Sequence, residues 1–570
     1  MRWGSERPDF GRTGDLMKLV AALLAVVVGL PSVSSAQRLP DPVVRKLAEN
    51  AQARFERIRK QYLPERRSGT TTCDAVIGRF CRWNANDTIR PQEARIVIRE
   101  RRRLLERLAT YSRQSPRDEW IIGQRIRYLL DTGADSAALK VASDCIATAW
   151  WCDALRGMVL HELGASTSSD SAFARALAAM PEPERCRWTD MRPILDAAQR
   201  KRYGKVGCGE NEEIGARLWW LADPFLSLPG NDRQAEHYAR HTMARILEPT
   251  RLTYGVAWAG DLREMIVRYG WARFFTRAPG TSMNPEGGAI SGYEPAPNYH
   301  FMPVSLTLDS LHEIEFDLHM ETSAERYSPV PANRLKEIAP QVARFRRGDS
   351  IRVVAAYDVS MRKPFDSALV KSAIVLAADE ASALIDSGTS ARGVFAVNID
   401  SRPHVLSLEV IGRDHRHAAW MRSGVWLSPR DSAEVEISDI LLFTPSQEEV
   451  TDLEQVLPVA LPGVELSRGK VGMYWEVYGL SRADSALPVT LTLTPVGQSA
   501  LRRIGQAIRL VKETSPLNIA WRDTPKTGGI STRSVVLDLS LIPRGKYELR
   551  VEGRAAGRTP ASSVRTILVR

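Results

Sequence analysis

The sequence predicts a multidomain α+β protein with an N-terminal α-helical repeat region, a central mixed α/β domain and two C-terminal antiparallel β-sandwich domains. The first observation behind this is the length of 570 residues. A single hydrophobic core rarely grows beyond about 250–300 residues. The other two are a helical period before residue 210 and a two-residue alternation after residue 346. We expect four folded parts, at 37–210, 211–345, 346–447 and 463–570.

The first 36 residues have the pattern of a cleaved signal peptide. Met17 and Lys18 precede the apolar run 19–30, and small residues follow at Ser34 and Ala36. This run is shorter than the roughly 20 residues that a membrane-spanning helix needs. The polar residues before it are unlike an ordinary signal-peptide start, which favours Met17 as the true first residue. We expect a mature chain without a membrane span, exported to the periplasm or out of the cell.

The chain has six cysteines, an even number that in an exported protein predicts disulfides. Fifteen connectivities are possible for six cysteines, and we favour pairing between sequence neighbours. The expected pairs are Cys73–Cys81, Cys145–Cys152 and Cys186–Cys208. A zinc site is the alternative, but no C-x-x-C spacing occurs, and His161 is the only histidine between the first and last cysteine.

Part of the helical region repeats at an interval of 34 residues, over 116–181. A period of this length is typical of helix–turn–helix units that stack into a solenoid. The matched positions are Gly123, Leu139 and Ala142 in the first unit and Gly157, Phe173 and Ala176 in the second. With Pro181 closing the second unit, they resemble the tetratricopeptide repeat, although Asp153 and Arg156 stand where that family has tryptophan and leucine. Chance helical packing is the alternative.

Two blocks in the C-terminal part alternate in the manner of half-buried β-strands and also resemble each other. Each has about 100 residues, the size of a β-sandwich domain. The echoed segments are 355–360 with 476–481, 366–369 with 484–487, and 408–414 with 549–555. The repetition predicts a duplicated sandwich.

The formal charge of +11 comes from 65 arginines and 13 lysines against 67 acidic residues. Nucleic acid is the partner class that such an excess first suggests. The positive charge is spread along the chain, however, and no nucleic-acid-binding motif occurs. The densest basic run, 95–107, has the pattern of an amphipathic helix with a solvated arginine face. We expect no nucleic-acid partner.

Aromatic and polar residues crowd the segment 257–271 in the middle of the chain. The residues of interest in this segment are Trp258, Asp261, Arg268, Tyr269 and Gly270. These residues resemble the motif of the GWxTD-domain proteins, exported bacterial proteins whose role is largely undefined. The motif is degenerate, since Ala257 and Gly260 replace its glycine and threonine. Further resemblances upstream are Asp223-Pro224, Asn231-Asp232 and Tyr238. The resemblance implies repeats ahead of this domain and β-sandwiches behind it.

The polar residues of this motif allow two interpretations. In the first, Asp261, Arg268 and Tyr269 bind a ligand in a cleft beside 276–300, a Gly- and Pro-rich segment that reads as a long loop. In the second, which we favour, Asp261 caps a turn, Arg268 pairs with a carboxylate and the tryptophans fill a seam. A short strand would follow the turn, containing Ile266 and Val267 and ending at Gly270.

Catalytic motifs are absent: the sequence has no nucleophile elbow, zinc-protease motif, P-loop or dinucleotide-binding pattern. His237 and His241 share one face of a helix predicted to start at Asn231 or Asp232, and they are a weak candidate for a metal site. Ordinary surface histidines are the alternative. We expect neither a metal nor another cofactor.

These patterns favour a non-catalytic scaffold that binds other proteins or components of the cell envelope. The tryptophans of the helical part are candidate ligand contacts, with burial in the core as the alternative. They are Trp150, Trp151, Trp219 and Trp220. The competing hypothesis is an exported hydrolase that uses Asp261 with His237 or His241, and the Gly- and Pro-rich segment as a lid.

Overall fold

The computed structural model shows a mixed α+β, multidomain chain. The predicted signal peptide, 1–36, lies outside the residues that the structure describes. The described ranges are 39–65, 75–82, 90–204, 207–279, 288–304, 310–320, 323–365, 369–430, 434–447, 450–481, 484, 486–496, 517–524 and 529–570.

Helices dominate the described chain up to residue 269. They are α1 (Asp41–Gln61), α2 (Arg95–Gln114), α3 (Glu119–Leu130), α4 (Asp135–Ser143), α5 (Ala149–Glu162), α6 (Ser166–Ala179), α7 (Glu182–Thr189), α8 (Ala197–Tyr203), α9 (Glu210–Ala222), α10 (Asp232–Leu247) and α11 (Gly260–Tyr269). A short hairpin of β1 (Ala75–Ile77) and β2 (Phe80–Arg82) interrupts the series. One core joins α3–α6 to α10 and α11, and a second joins α1 and α2 to α3.

The helix α10 begins where the sequence predicts. Asn231 is its N-cap, and the Asn231 side chain accepts a hydrogen bond from the backbone N–H of Gln234 at 2.9 Å. The same side chain donates to the carbonyl of Trp219 at 2.7 Å, which joins α10 to the preceding helix α9. The predicted helix start at Asn231 or Asp232 is confirmed.

Helices α5 and α6 approach closely at Gly157. A methyl group on Gly157 would lie 3.0 Å from the ring of Phe173, so only glycine leaves room for that ring. At the matching position of the first predicted unit, Gly123 faces Ile246 of α10 instead, at 3.2 Å from an added methyl group. The two units therefore pack their glycines against different neighbours.

The segment that follows the degenerate motif is the helix α11, and the predicted short strand containing Ile266 and Val267 is wrong. Leu262 and Ile266 lie four residues apart and are both buried, which places them on one helical face. Two adjacent β-branched residues suggested a strand, but burial of one helical face outweighs that local preference. The helix ends at Gly270, whose φ of 83° glycine adopts without strain.

Part of the predicted long loop 276–300 forms a hairpin. The strand β3 (Phe274–Arg277) pairs antiparallel with β4 (Ile290–Tyr293), so the loop prediction is wrong for these residues. The residues 280–287 of the same segment lie outside the described ranges.

The next part of the chain forms two facing sheets, which we call the first β unit. Its strands are β5 (Arg334–Glu337), β6 (Gln341–Arg347), β7 (Ser350–Asp358), β8 (Val370–Ala377), β9 (Ala383–Gly388), β10 (Arg392–Asp400), β11 (His404–Gly412) and β12 (His417–Val425). One sheet has the order β5-β12-β11-β8-β9 and the other β10-β7-β6. Residues from both sheets share one core, among them Val353 of β7 and Leu408 of β11.

The last part forms the second β unit. Its elements are β13 (Glu436–Ile437), β14 (Leu441–Phe443), α12 (Leu453–Val456), β15 (Glu465–Leu466), β16 (Lys470–Tyr478), β17 (Leu487–Pro495), β18 (Leu517–Asp523), β19 (Ser531–Asp538), β20 (Gly545–Gly553) and β21 (Ala561–Val569). One sheet has the order β15-β21-β20-β17-β18, and in the other β16 pairs with β13, β14 and β19.

The five-stranded sheets of the two β units have the same strand order. The order β5-β12-β11-β8-β9 corresponds strand by strand to β15-β21-β20-β17-β18, and in both sheets the first pair is parallel. The sequence echoes fall on equivalent strands, since 408–414 covers the end of β11 and 549–555 the end of β20. The repetition in the sequence thus coincides with a repetition in the strand order.

Two of the three predicted disulfides are confirmed, Cys145–Cys152 and Cys186–Cys208. The first links the end of α4 to the start of α5, and the second links α7 to the residues before α9. The remaining prediction involves Cys73, which lies outside the described residues. Disulfides indicate an oxidising compartment. No helix among the described residues is long and apolar enough to span a membrane.

The close contact between α5 and α6 predicts a difference between two glycine-to-alanine substitutions. Gly157→Ala should lower the free energy of unfolding by about 1–3 kcal/mol, because the added methyl group overpacks the Phe173 ring. Gly260→Ala is the matched control, since an added methyl group there meets open space, and it should change stability by less than about 0.5 kcal/mol. Urea denaturation measures both, and equal stabilities would contradict the packing described.

Candidate functional site

The helix α10 carries charged side chains in the protein interior. Asp232, Arg233 and Arg240 are all buried. A buried charge costs several kcal/mol unless partners compensate the lost hydration. The contacts of these three residues therefore decide which elements assemble around α10.

Arg240 connects α10 to the end of α11. Its guanidinium donates from Nε to Glu236 at 2.6 Å and from Nη1 to the backbone oxygens of Val267 and Arg268 at 3.2 and 2.8 Å. The Nη2 atom donates to the backbone oxygen of Arg326 at 2.8 Å. One side chain thereby holds the last turn of α11 and the segment near 326 against α10.

His161 of α5 completes this network on the other side. Its Nε2 lies 2.8 Å from Glu236, and its Nδ1 forms an ion pair with Asp232 at 3.3 Å. Burial alone would lower the pKa of His161, but the two carboxylates raise it well above its usual value, so the ring carries a positive charge. Asp232 also accepts the backbone N–H of Val330 at 3.0 Å.

A serine, a histidine and a glutamate meet nearby without the geometry of a catalytic triad. Glu325 lies 2.9 Å from Nδ1 of His300, and the hydroxyl of Ser323 lies 3.0 Å from the same nitrogen. In a triad, the acid and the nucleophile occupy opposite ring nitrogens. Glu325 also pairs with Arg233 at 2.8 Å, and both of these side chains are fully buried. The group therefore anchors the segment 323–327.

Asp261 of the degenerate motif pairs with the β1–β2 hairpin. Its carboxylate accepts from Nε and Nη2 of Arg79 at 2.7 and 2.8 Å, and from the Arg79 backbone N–H at 3.1 Å. Arg79 in turn donates to the backbone oxygen of Ala257 at 3.0 Å. The hydrogen bonds from Arg79 hold the pKa of Asp261 well below its usual range. Asp261 thus fixes the hairpin to the start of α11.

Arg268 and Tyr269 bind a different part of the chain. Arg268 donates to the backbone oxygen of Ala324 at 2.7 Å, to Glu264 at 2.8 Å and to the hydroxyl of Tyr269 at 3.0 Å. Trp258 is half-buried, with the guanidinium of Arg263 6.0 Å from its ring centroid. The motif residues that the sequence places together therefore contact two separate elements of the chain.

The two histidines of α10 are buried, so the expectation of ordinary surface histidines is wrong. Nε2 of His237 lies 3.0 Å from the backbone oxygen of Trp188, and the ring of His241 stacks on the Trp188 ring. Burial lowers the pKa of both, for His241 to about 3. The two ring centroids are 4.7 Å apart, but no third His, Cys, Asp or Glu completes a metal-binding group within the described residues.

The four candidate tryptophans differ in exposure. Trp150 and Trp151 are buried in the helical core beneath the guanidinium of Arg245, so packing is the role that the structure gives them. Trp220 is half-buried under Arg217. Trp219 is largely buried too, yet one part of it lines an open groove.

This groove, which we call the α6–α9 groove, runs between α6 and α9 with α10 as its floor. Its volume is about 430 Å³. Small residues form much of its walls, and Trp219 and Tyr238 contribute aromatic surface. The lining residues are Ala174, Leu177, Ala178, Arg185, Thr189, Gly215, Ala216, Trp219, Gln234 and Tyr238. A space of this size accommodates several side chains of another molecule.

A buried ion pair that the sequence patterns did not predict, Arg422 with Glu409, joins the helices to the first β unit. Arg422 donates to the backbone oxygens of Leu221 and Asp223 at 2.8 and 2.7 Å. Its neighbour Glu409 accepts the backbone N–H groups of Leu226 and Ser227. The only signal in the sequence was a charged residue on each of two strands, Glu409 on β11 and Arg422 on β12. The i,i+4 spacing of Glu236 and Arg240 was a readable signal for the network on α10.

Comparisons with known proteins give no family. No protein-family model and no curated protein matches the chain. Among solved structures, red sea bream transglutaminase is similar over 42% of this chain and 32% of its own, at 9% identity and a TM-score of 0.14. The chicken CNTN1 FN1–FN3 domains are similar over 42% of this chain and 68% of theirs, at 11% identity and a TM-score of 0.15. A DUF3823 family protein from Bacteroides ovatus is similar over 41% and 96%, at 10% identity and a TM-score of 0.14.

TM-scores this low carry no argument about function. The matched part spans about a third of the transglutaminase chain, as its 32% coverage shows. The resemblances to GWxTD-domain proteins and to tetratricopeptide repeats stay predictions.

The contacts of Arg240 predict a large loss of stability on its removal. Arg240→Met should lower the free energy of unfolding by about 3–5 kcal/mol, because Glu236 and three backbone oxygens lose a buried partner. Amide hydrogen exchange should also become faster over 260–270. Arg175→Met, which breaks an exposed pair with Asp153, is the control and should cost less than about 1 kcal/mol.

The buried histidines predict a loss of stability in acid. The unfolded chain binds a proton at His241 below about pH 6.5, whereas the folded chain does so only near its pKa of about 3. The free energy of unfolding should therefore decrease as the pH is lowered from about 6.5 toward 3. His241→Phe keeps the stacking on Trp188 but cannot bind a proton. When the pH is lowered from about 6.5 to 4, its free energy of unfolding should decrease by about 1–3 kcal/mol less than that of the wild type.

His161 should affect the pH dependence of stability in the opposite direction from His241. Its raised pKa means that its contribution is complete below about pH 6.5 and is lost as the pH rises through the folded value. His161→Gln should thus cost more stability near pH 6 than near pH 9. Urea titrations across pH measure both variants, and identical pH profiles for the wild type and the two variants would contradict this assignment.

Proposed function

We propose that this chain is an exported, non-catalytic scaffold of the bacterial cell envelope that binds a segment of a partner protein. In this proposal, the helical part of the chain contains tetratricopeptide-like units, the middle of the chain is a GWxTD-like domain, and the two β units are two sandwich domains. The observation that carries the proposal is the α6–α9 groove, an open site of about 430 Å³ lined by both apolar and polar side chains.

The composition of the groove suits an apolar segment of protein. Ala174, Leu177 and Ala178 of α6 offer apolar area, and the largely buried Trp219 and Tyr238 also line the groove. Ala178 and Gly215 let a partner backbone approach the helices closely. Polar groups of Gln234 and Thr189 on the lining can accept or donate hydrogen bonds to that backbone.

The polar residues of the middle region support a role without catalysis. Asp261 is engaged by Arg79, and Arg268 by Ala324, Glu264 and Tyr269. A hydrolase active site of the kind considered above would need Asp261 and a histidine to face the same open cavity. No hydrogen bond or ion pair links Asp261 to His237 or His241 among the described residues, and both histidines lie in the core.

A peptide-display selection on the purified protein tests this proposal. We expect it to enrich peptides that share apolar anchor residues, and the best of them to bind in the micromolar range. The double variant Ala174→Arg with Ala178→Arg fills the groove from two exposed positions on α6 and should weaken binding at least tenfold. Isothermal titration calorimetry measures the affinity.

The matched control is Ala137→Arg, an exposed alanine on α4 outside the groove, which should bind the peptides like the wild type. Equal binding by all three proteins would contradict the groove as the site, and a selection without enrichment would contradict the proposal itself. Hydrolysis of peptide, ester or glycan substrates that disappears with His241→Phe would favour the hydrolase instead.

A further inference from the structure

The exposed face of α2 carries a continuous row of arginines. Arg95, Arg99, Arg102 and Arg113 recur at spacings that return to one side of a helix, and Arg103 and Arg107 lie beside them. All six are exposed. From Arg95 to Arg113 the row is about 27 Å long, at a rise of about 1.5 Å per residue.

Little negative charge offsets this row. Glu100 forms ion pairs with Arg103 at 2.6 Å and with Arg99 at 3.9 Å. Glu106 is the only other acidic residue of α2. Arg95, Arg102 and Arg107 form no ion pair with a described residue. Arg101, by contrast, points inward and pairs with Glu93, so the exposed arginines are not needed for the fold in the way that Arg101 is. The face is therefore a positive surface open to an external partner.

Apolar side chains border the arginines. Ile98 of α2 is 46% exposed, within one turn of Arg102. On α1, Val43 and Leu47 lie four residues apart and are 44% and 38% exposed. The two helices pack against each other and share one core with α3. The combination of guanidinium groups with exposed aliphatic side chains matches a phospholipid interface, where phosphates lie above acyl chains.

We propose that this face of α1 and α2 binds the surface of a membrane that contains anionic phospholipids, without crossing it. The arginines donate bidentate hydrogen bonds to lipid phosphates. Val43, Leu47 and Ile98 enter the boundary between headgroups and acyl chains. A soluble polyanion would use the arginines alone. The proposal is independent of the α6–α9 groove, because α1 and α2 contribute no residue to that lining.

Sedimentation with vesicles of phosphatidylcholine containing about 30% phosphatidylglycerol tests the proposal. The wild type should sediment with these vesicles and not with pure phosphatidylcholine, and raising the salt from about 0.1 to 0.5 M should weaken binding severalfold. The variant with Arg95, Arg99, Arg102 and Arg107 changed to Gln should bind at least tenfold more weakly. Val43→Asn with Leu47→Asn should weaken binding about threefold or more.

The matched control changes four exposed arginines of the β units, Arg413, Arg416, Arg544 and Arg554, to Gln, with the same loss of charge. It should bind like the wild type, and circular dichroism and thermal melting verify that each variant is folded. Equal loss in this control, or no loss in the α2 variant, would overturn the proposal. So would wild-type binding to inorganic polyphosphate together with vesicle binding that Val43→Asn and Leu47→Asn leave unchanged, since a soluble polyanion would then be the partner.

Discussion

Charge buried on α10 is the constraint to which the surrounding structure conforms. Arg233 and Arg240 lie in the interior, where an unpartnered guanidinium would cost more than the hydrophobic gain of burying its helix. Arg233 pairs with Glu325, and Arg240 pairs with Glu236 of the same helix and with backbone oxygens at the end of α11. His161 of α5 in turn contacts Glu236. Because these elements are distant in sequence, their pairing with one helix defines how the helical part of the chain closes.

The same solution recurs where the parts of the chain meet. Arg422 and Glu409 join the helices to the first β unit, and Arg347 and Glu476 join the two β units at 2.7 Å, with the hydroxyls of two tyrosines on the same carboxylate. A guanidinium presents five donors in a fixed planar fork, so a single arginine can satisfy a carboxylate and several backbone oxygens at once. Lysine, with one compact charge on a flexible stem, could not replace it at these positions.

Polar residues of the interior hold separate elements together, and the outer helices present two different faces. The polar residues of the degenerate motif hold the β1–β2 hairpin and the segment 323–327, and the histidines of α10 pack beside Trp188. The outer side of α6 and α9 presents small and aromatic residues, whereas the outer side of α1 and α2 presents arginine and aliphatic residues. The two faces lie on separate helices and differ in chemistry.

The sequence by itself determined what depends on neighbouring residues: the start of α10 at an asparagine cap, the pairing of Cys145 with Cys152 and of Cys186 with Cys208, and the alternation and echo of the two β units. Only the tertiary structure decided that Ile266 and Val267 belong to a helix, that His237 and His241 are buried, and that Asp261 meets Arg79 across 182 residues. The physical reason is the sequence separation over which each kind of interaction acts. Caps, short loops and periodicity act within a few residues, whereas burial and ion pairing depend on which distant surfaces come together.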